Sequence, residues 1–356
     1  MHLKFNNVND AFYYFVERFQ SRQGFNFIER KARDGSTCVE IDEPVIVTYS
    51  NPKRRVLFNE ARDANPFFHL FEAMWMLAGS NKLEPLLKYV STFGQFSDDG
   101  KILNGAYGYR WRNHVPDKES QDPKEPLDQL DFLIELLRET PSSRRAVLQM
   151  WNVEDDLLKV DSSKDLCCNT AVYFSLREVS SDSEVSWYHV LDMTVTNRSN
   201  DLIWGMLGAN YVHFTFLQEY VANCLGVEVG CYTHMTNNLH IYEGRDDLRA
   251  MLEQERVGEI GYESHEIEVG SRLLDFKQVF DFEVKGVVYS EGCHENPTEP
   301  FLKNVVVPAI AAFSHHKERD YKDAIREANK IESDDWKRVC VQWLVKRAEN
   351  WEKKNA

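Results

Sequence analysis

Asp165-Leu-Cys-Cys-Asn169, followed by Thr170-Ala-Val-Tyr-Phe-Ser-Leu-Arg177, joins a polar loop to a strand-like run of β-branched and aromatic residues. A thiol at the mouth of a strand is held rigidly while still facing a cavity. Farther on, an apolar strand (Val190-Leu-Asp-Met-Thr-Val-Thr196) opens into a second dense stretch, Asn197-Arg-Ser-Asn-Asp-Leu-Ile-Trp-Gly-Met-Leu-Gly-Ala-Asn210. The expectation is that these two strand ends meet and that a cysteine beside an arginine is the chemical centre.

The 356 residues, 43% of them hydrophobic, are enough for a large core. A net charge of −15 argues against a general nucleic-acid binder, which needs a basic face. It leaves room for a small anionic ligand held by a few local arginines. No apolar run approaches the ~20 residues of a membrane span, and the N-terminus lacks a signal-peptide apolar region. Seven cysteines without framework spacing suit free thiols in a reducing cytosol, so a soluble, cytoplasmic protein is expected.

Residues 8–23 have helical spacing behind a cap at Asn9 or Asp10, and V-E-I, P-V-I-V-T-Y and R-R-V-L-F (54–58) read as strands. Residues 65–79 read as a buried helix with Asn65 as N-cap, Pro66 at the first position and Gly79 just past the end. Glu72 in its middle is anomalous, because an unpaired buried carboxylate is costly; a structural ion pair is the plain alternative. Residues 96–115, rich in glycine and aromatics, suggest a loop lining a site. A helix before Pro141, Ser142-Ser-Arg-Arg145 leading into a strand, a helix over 211–225 stopped by Gly226, and a strand running to His240 and Tyr242 follow. Beyond lie a strand-like stretch near 280 and helices around 299–313 and 317–351. Mixed order without βαβ alternation and without a linker favours one α+β domain over 1–356, less typical from about 246 to 356.

Cys168 or Cys167 suits a nucleophile, although a lone cysteine is more often simply buried. Nothing has zinc-ligand spacing. His213, His234 and His240 are candidate partners for a thiol. Arg33, Arg144, Arg145 and Arg198 with Ser199 suit a phosphate, while adjacent arginines are often only a solvated pair. Asp201, Asn210, His240 and Tyr242 offer the directional hydrogen bonds that read a heterocycle and a sugar.

These motifs, in this order, resemble the thymidylate synthase superfamily, which includes the pyrimidine nucleotide hydroxymethylases; the resemblance runs from about residue 30 to 245. It implies a mixed sheet packed with helices and a homodimer formed through the sheet face. S-S-R-R matches the pair, Arg144 and Arg145, that reaches the neighbouring subunit's substrate phosphate. L-C-C-N matches the nucleophile motif, with Cys168 the nucleophile and Cys167 in place of the usual proline. N-R-S-N-D matches the phosphate motif of Arg198 and Ser199, with Asp201 and Gly205 toward the folate. Glu72 in E-A-M-W-M-L-A-G matches the proton-relay glutamate, Tyr107 the active-site tyrosine, His240 and Tyr242 the pair holding the sugar hydroxyl, and Arg33 a mobile-loop phosphate arginine. The implied reaction adds the Cys168 thiolate, its pKa lowered by Arg198, to C6 of a pyrimidine nucleotide. C5 then takes a carbon from 5,10-methylenetetrahydrofolate; no metal is implied.

Three departures bear on the product. Asn169 replaces the histidine that usually follows the nucleophile. The indole-bearing loop beside the folate is not evident, Phe93 or Phe96 lying in that region. The terminus A-E-N-W-E-K-K-N-A lacks the apolar tail that closes synthases. A less sealed site admits water, which favours hydroxymethylation, as in the enzymes that make modified DNA precursors for bacterial viruses and act in the host cytoplasm. The alternatives are reductive methylation to a thymidylate and a non-catalytic nucleotide-binding homologue. Asn210 matches the base-reading asparagine, but its segment is one residue longer than usual, so dUMP and dCMP both remain open.

Overall fold

The computed structural model describes residues 1–32, 34–117, 122, 126–180, 187–254 and 300–355. Arg33 and the strand expected near 280 lie outside them. The architecture is α+β. Helix α1 (Val8–Ser21) lies between β1 (His2–Phe5) and the hairpin of β2 (Phe27–Lys31) and β3 (Thr37–Ile41), with β4 (Val45–Tyr49) next. Helices α2 (Pro66–Leu77), α3 (Glu84–Tyr89) and α4 (Tyr107–Arg112), the short pair β5 (Val115–Pro116) and β6 (Pro126–Leu127), and α5 (Gln129–Glu139) lead to β7 (Val147–Gln149). Then come β8 (Asn169–Ser180), β9 (Trp187–Asn197), β10 (Asn200–Asp201), α6 (Asn210–Leu225), β11 (Glu228–Thr236), β12 (Leu239–Tyr242) and α7 (Leu248–Glu253). Helices Val307–Lys317, Tyr321–Ala328 and Asp334–Asn355 close the chain.

Six strands in the order β1-β4-β11-β9-β8-β7 form the main sheet, and β10-β12-β3-β2 form a second. The β8–β9 ladder is antiparallel and pairs Asn169 with Asn197 at its end. This pairing brings the two dense polar stretches together: the first ends where β8 enters the ladder and the second begins where β9 leaves it.

Helix α2 begins as its sequence indicates, with the Asn65 side chain accepting from the Phe68 amide, and Gly79 follows its end at φ +73°. It is apolar on almost every side because α6 and the helix Asp334–Asn355 both pack on it. Side chains from residues 301 to 344 belong to the same hydrophobic cluster as α2 and α6.

Four local readings change. The cap of α1 is Asn7, whose side chain accepts from the Asn9 and Asp10 amides, because Asn9 is used elsewhere. Its amide bonds the Val56 carbonyl and the Phe58 amide. A side chain thus takes the bonds a ladder would have made, and 54–58 is not a strand. The stretch 96–115 includes α4, not only loop. The C-terminal helices are three rather than two, since Asp320 caps a new helix.

Candidate active site

The loop carrying Cys168 is fixed by backbone bonds from two directions. Asp165 Oδ2 accepts from the Gly105 amide at 2.7 Å, and the Asn104 amide donates to the carbonyls of Asp155 and Asp165. On the other side Asp156 Oδ1 accepts from the Cys167 amide at 3.1 Å, while Asp156 itself is paired with Arg110 in the interior. Cys167 is buried with its Sγ toward the Gly105 carbonyl, and burial pushes its thiol far up, so it is a structural residue. Cys168, next along, is partly exposed at the mouth of β8.

Arg198 follows the last residue of β9. Its amide bonds the Cys168 carbonyl at 2.9 Å. Nε donates to the Cys167 carbonyl at 2.8 Å, and Nη2 reaches the Leu166 carbonyl at 3.2 Å and Cys168 Sγ at 3.7 Å. The guanidinium therefore clamps the thiol's loop. Among the described residues Nη1 makes no hydrogen bond, and the side chain is exposed. The expected acidification of Cys168 is only partial: burial pushes its thiol up, Arg198 opposes this, and the net direction is upward. No histidine bonds this sulfur among the described residues. His213 lies against Glu72, His234 against Asn197 and Asn200, and His240 against Asn238.

Tyr107, half-buried at the start of α4, lies close enough to Cys168 and Cys167 for their charges to act on its phenol, which burial pushes up. Helix α4 can take this place because residue 108 is glycine: a Cβ there would sit 1.9 Å from the Met76 carbonyl oxygen of α2. Glu72 is buried on α2 and meets His213 of α6.

Asn238 Oδ1 receives both Ser199 Oγ, at 3.2 Å, and His240 Nδ1, at 2.9 Å, linking the arginine-serine stretch to the histidine-tyrosine strand. Tyr242 lies edge-on to His240 and is covered by Arg245, which pairs with Asp34 at 2.9 Å. Arg245 is thus a cation beside this cluster that the motifs did not indicate. Arg144 and Arg145, before the edge strand β7, are exposed; among the described residues no bond links them to Cys168, Arg198 or His240.

Asp201 accepts from the Trp204 amide and opens a wide, π-type turn, Leu202–Ala209, broken at Gly208 (φ −124°, ψ −120°). Asn210 begins α6, its Nδ2 donating to Asn200 Oδ1 at 3.3 Å. Burial raises the Asp201 carboxyl to about 6, and among the described residues its enclosed Oδ2 has no hydrogen-bond partner. Beside it Trp204 is 57% exposed, with the Arg62 guanidinium 4.3 Å over its ring. Asn169 is fully buried, and among the described residues neither amide atom has a hydrogen-bond partner.

What the arrangement offers chemically is an exposed arginine at a rigid thiol, a buried acid, a carboxylate beside an open indole, and amides at the floor. The thymidylate synthase family model matches residues 28–293. A deoxyuridylate hydroxymethyltransferase of Pseudomonas phage M6 is 35% identical over 343 residues, 93% of this chain and 91% of that protein. Another of that name, from Bacillus phage SP01, is 38% identical over 67% of the chain and 58% of its own length. A thymidylate synthase of Bacillus phage phi3T is 26% identical over 62% of the chain and 70% of its own length.

Proposed function

The chain belongs to the thymidylate synthase family, and from that premise we propose that it hydroxymethylates dUMP at C5, with 5,10-methylenetetrahydrofolate as carbon donor. It is a one-carbon transferase, and the observation that carries the reading is Cys168 Sγ at 3.7 Å from Arg198 Nη2 at the mouth of β8. In this reading the Cys168 thiolate bonds to C6, and electron density passes to C5 and O4. Arg198 stabilises the thiolate, and its free edge, Ser199 and Arg33 serve to bind the nucleotide's phosphate. Asn210 reads the base, His240 and Tyr242 hold the sugar, and Tyr107 and Glu72 with ordered water move the protons at C5. Asn169 borders the 4-position of the base.

The folate suits the Asp201 carboxylate and the open Trp204 indole, with Gly205 against Asn200 and Asn210 nearby: a flat heterocycle with N–H donors satisfies both. Bound there, methylenetetrahydrofolate supplies carbon at the oxidation level of formaldehyde, so water gives a hydroxymethyl group and hydride a methyl group. Expulsion of Cys168 from C6 then restores the ring double bond. Water is favoured by the deoxyuridylate hydroxymethyltransferases among the relatives. Reductive methylation is the second reading, supported by the synthase relatives. Arg144 and Arg145, exposed at the sheet edge, serve the other subunit of a homodimer.

Mass spectrometry of products from dUMP and dCMP with methylenetetrahydrofolate tests this. A gain of CH₂O on dUMP, with tetrahydrofolate released, is the expected result. A gain of CH₂ with dihydrofolate makes the protein a methylating synthase, and no product from either nucleotide removes the catalytic reading in favour of a binding homologue.

A further inference from the structure

Asn210 sits at the end of a run of buried polar groups whose orientation begins at the backbone. The Met235 carbonyl accepts from Asn197 Nδ2 at 3.1 Å, and a carbonyl can only accept. The same nitrogen lies 2.9 Å from His234 Nε2, so that ring nitrogen has to be the bare acceptor, and Nδ1–H faces the Tyr232 hydroxyl at 2.7 Å. Asn200 lies 3.0 Å from the same Nε2 and therefore presents its amide nitrogen there, leaving Oδ1 toward Asn210. Asn210 in turn has to offer Nδ2 to that oxygen. His234 is fully buried, which holds it neutral with its pKa near 3 and keeps Nε2 unprotonated.

The pocket for this oxygen is built. A Cβ on Gly205 would lie 1.8 Å from Asn200 Oδ1, so the arrangement exists only because residue 205 has no side chain. Asn200 is 4% exposed and Asn210 9%, so water does not replace these bonds cheaply.

We propose that Asn200, oriented through His234 and Asn197, is a specificity-determining residue that locks the Asn210 amide in the orientation that reads uracil and rejects cytosine. With Nδ2 pinned, Asn210 offers an N–H to O4 and its oxygen to N3–H. Cytosine needs the reverse, since its N3 accepts and its N4 donates. Rotating Asn210 to suit it would set Oδ1 against Asn200 Oδ1, two acceptors face to face in a buried site. This rests on the nucleotide reading of the site and deepens it by naming what chooses the base.

The test is calorimetric binding of dUMP and dCMP to the full chain, with turnover of each in parallel, for wild type, Asn200→Ala and Asn200→Asp. Wild type should favour dUMP. Asn200→Ala should lower the dUMP:dCMP affinity ratio about ten- to a hundredfold, because a freed Asn210 rotates to suit either base. Asn200→Asp, which keeps an acceptor toward Asn210 Nδ2 whatever proton His234 then holds, should keep the ratio. A purely structural Asn200 would weaken both nucleotides alike in both variants, leaving the ratio unchanged, and that result overturns the lock. Wild type binding dCMP as tightly as dUMP overturns it without any variant. Wild type binding neither overturns the nucleotide reading itself and the lock with it.

Discussion

Glu72 Oε2 of α2 lies 3.0 Å from His213 Nε2 of α6, and the two side chains are 7% and 2% exposed. Among the described residues neither atom makes a well-aligned hydrogen bond, which leaves directional capacity for a third group, such as water. The acid that stood out in an otherwise apolar helix thus has a partner from another helix.

Replacing Glu72 by Gln keeps the shape and removes the proton-carrying group. Turnover should fall by about 10²–10⁴-fold while dUMP affinity changes little. His213→Ala should instead lower the melting temperature, since a buried carboxyl left without its partner costs about 1–3 kcal/mol. Steady-state kinetics and thermal melts separate the two effects; equal kcat for Glu72→Gln and wild type would remove the acid from the mechanism.

The Cys168 thiol should be alkylated with a pH dependence whose midpoint lies above the ordinary thiol value, because burial outweighs Arg198. Removing the guanidinium in Arg198→Ala takes away the lowering influence and should move the midpoint higher still. Mass-spectrometric rates of iodoacetamide labelling across pH 7–10 give both midpoints. A wild-type midpoint below 8 would contradict the direction. Cys168→Ser should abolish turnover and the covalent nucleotide adduct while keeping nucleotide binding.

If Arg144 and Arg145 act across a dimer, a double Ala variant of the pair and Cys168→Ser should each be inactive alone. Mixed under subunit exchange, they should regain a part of wild-type activity, since hybrids contain one intact site. Light scattering should show a dimer at micromolar concentration. No recovery despite demonstrated exchange would place the pair outside the site.

His234 is neutral in the fold with a pKa near 3, but an unfolded histidine titrates near 6.5. Below pH 6.5 the unfolded chain therefore binds a proton that the folded one does not, and stability falls as pH drops toward 3. His234→Asn should flatten this part of the melting-temperature profile by about 5 °C, measured by calorimetry against wild type.

Much of the proposed site can be read from the order of residues alone. The thiol motif, the arginine-serine stretch, the acid within an apolar helix and the histidine-tyrosine strand depend on local chemistry, which a sequence displays directly. The helix over 66–77 was equally plain, because Asn65, Pro66 and Gly79 mark its ends without help from other elements. Residues 54–58 were misread because their bonds go to the Asn9 side chain from another part of the chain. The place of Asn210 was ambiguous in sequence, its segment being one residue longer than usual; the structure puts it at the start of α6, donating to Asn200 Oδ1. Likewise His213, His234 and Asn200 carry no local signal: what each does depends on which atom of a distant residue faces it. Composition and motif order determined the family and the chemistry. The tertiary structure decided the partners, because amide orientation, histidine tautomer and thiol acidity are set by burial and by neighbours remote in the chain.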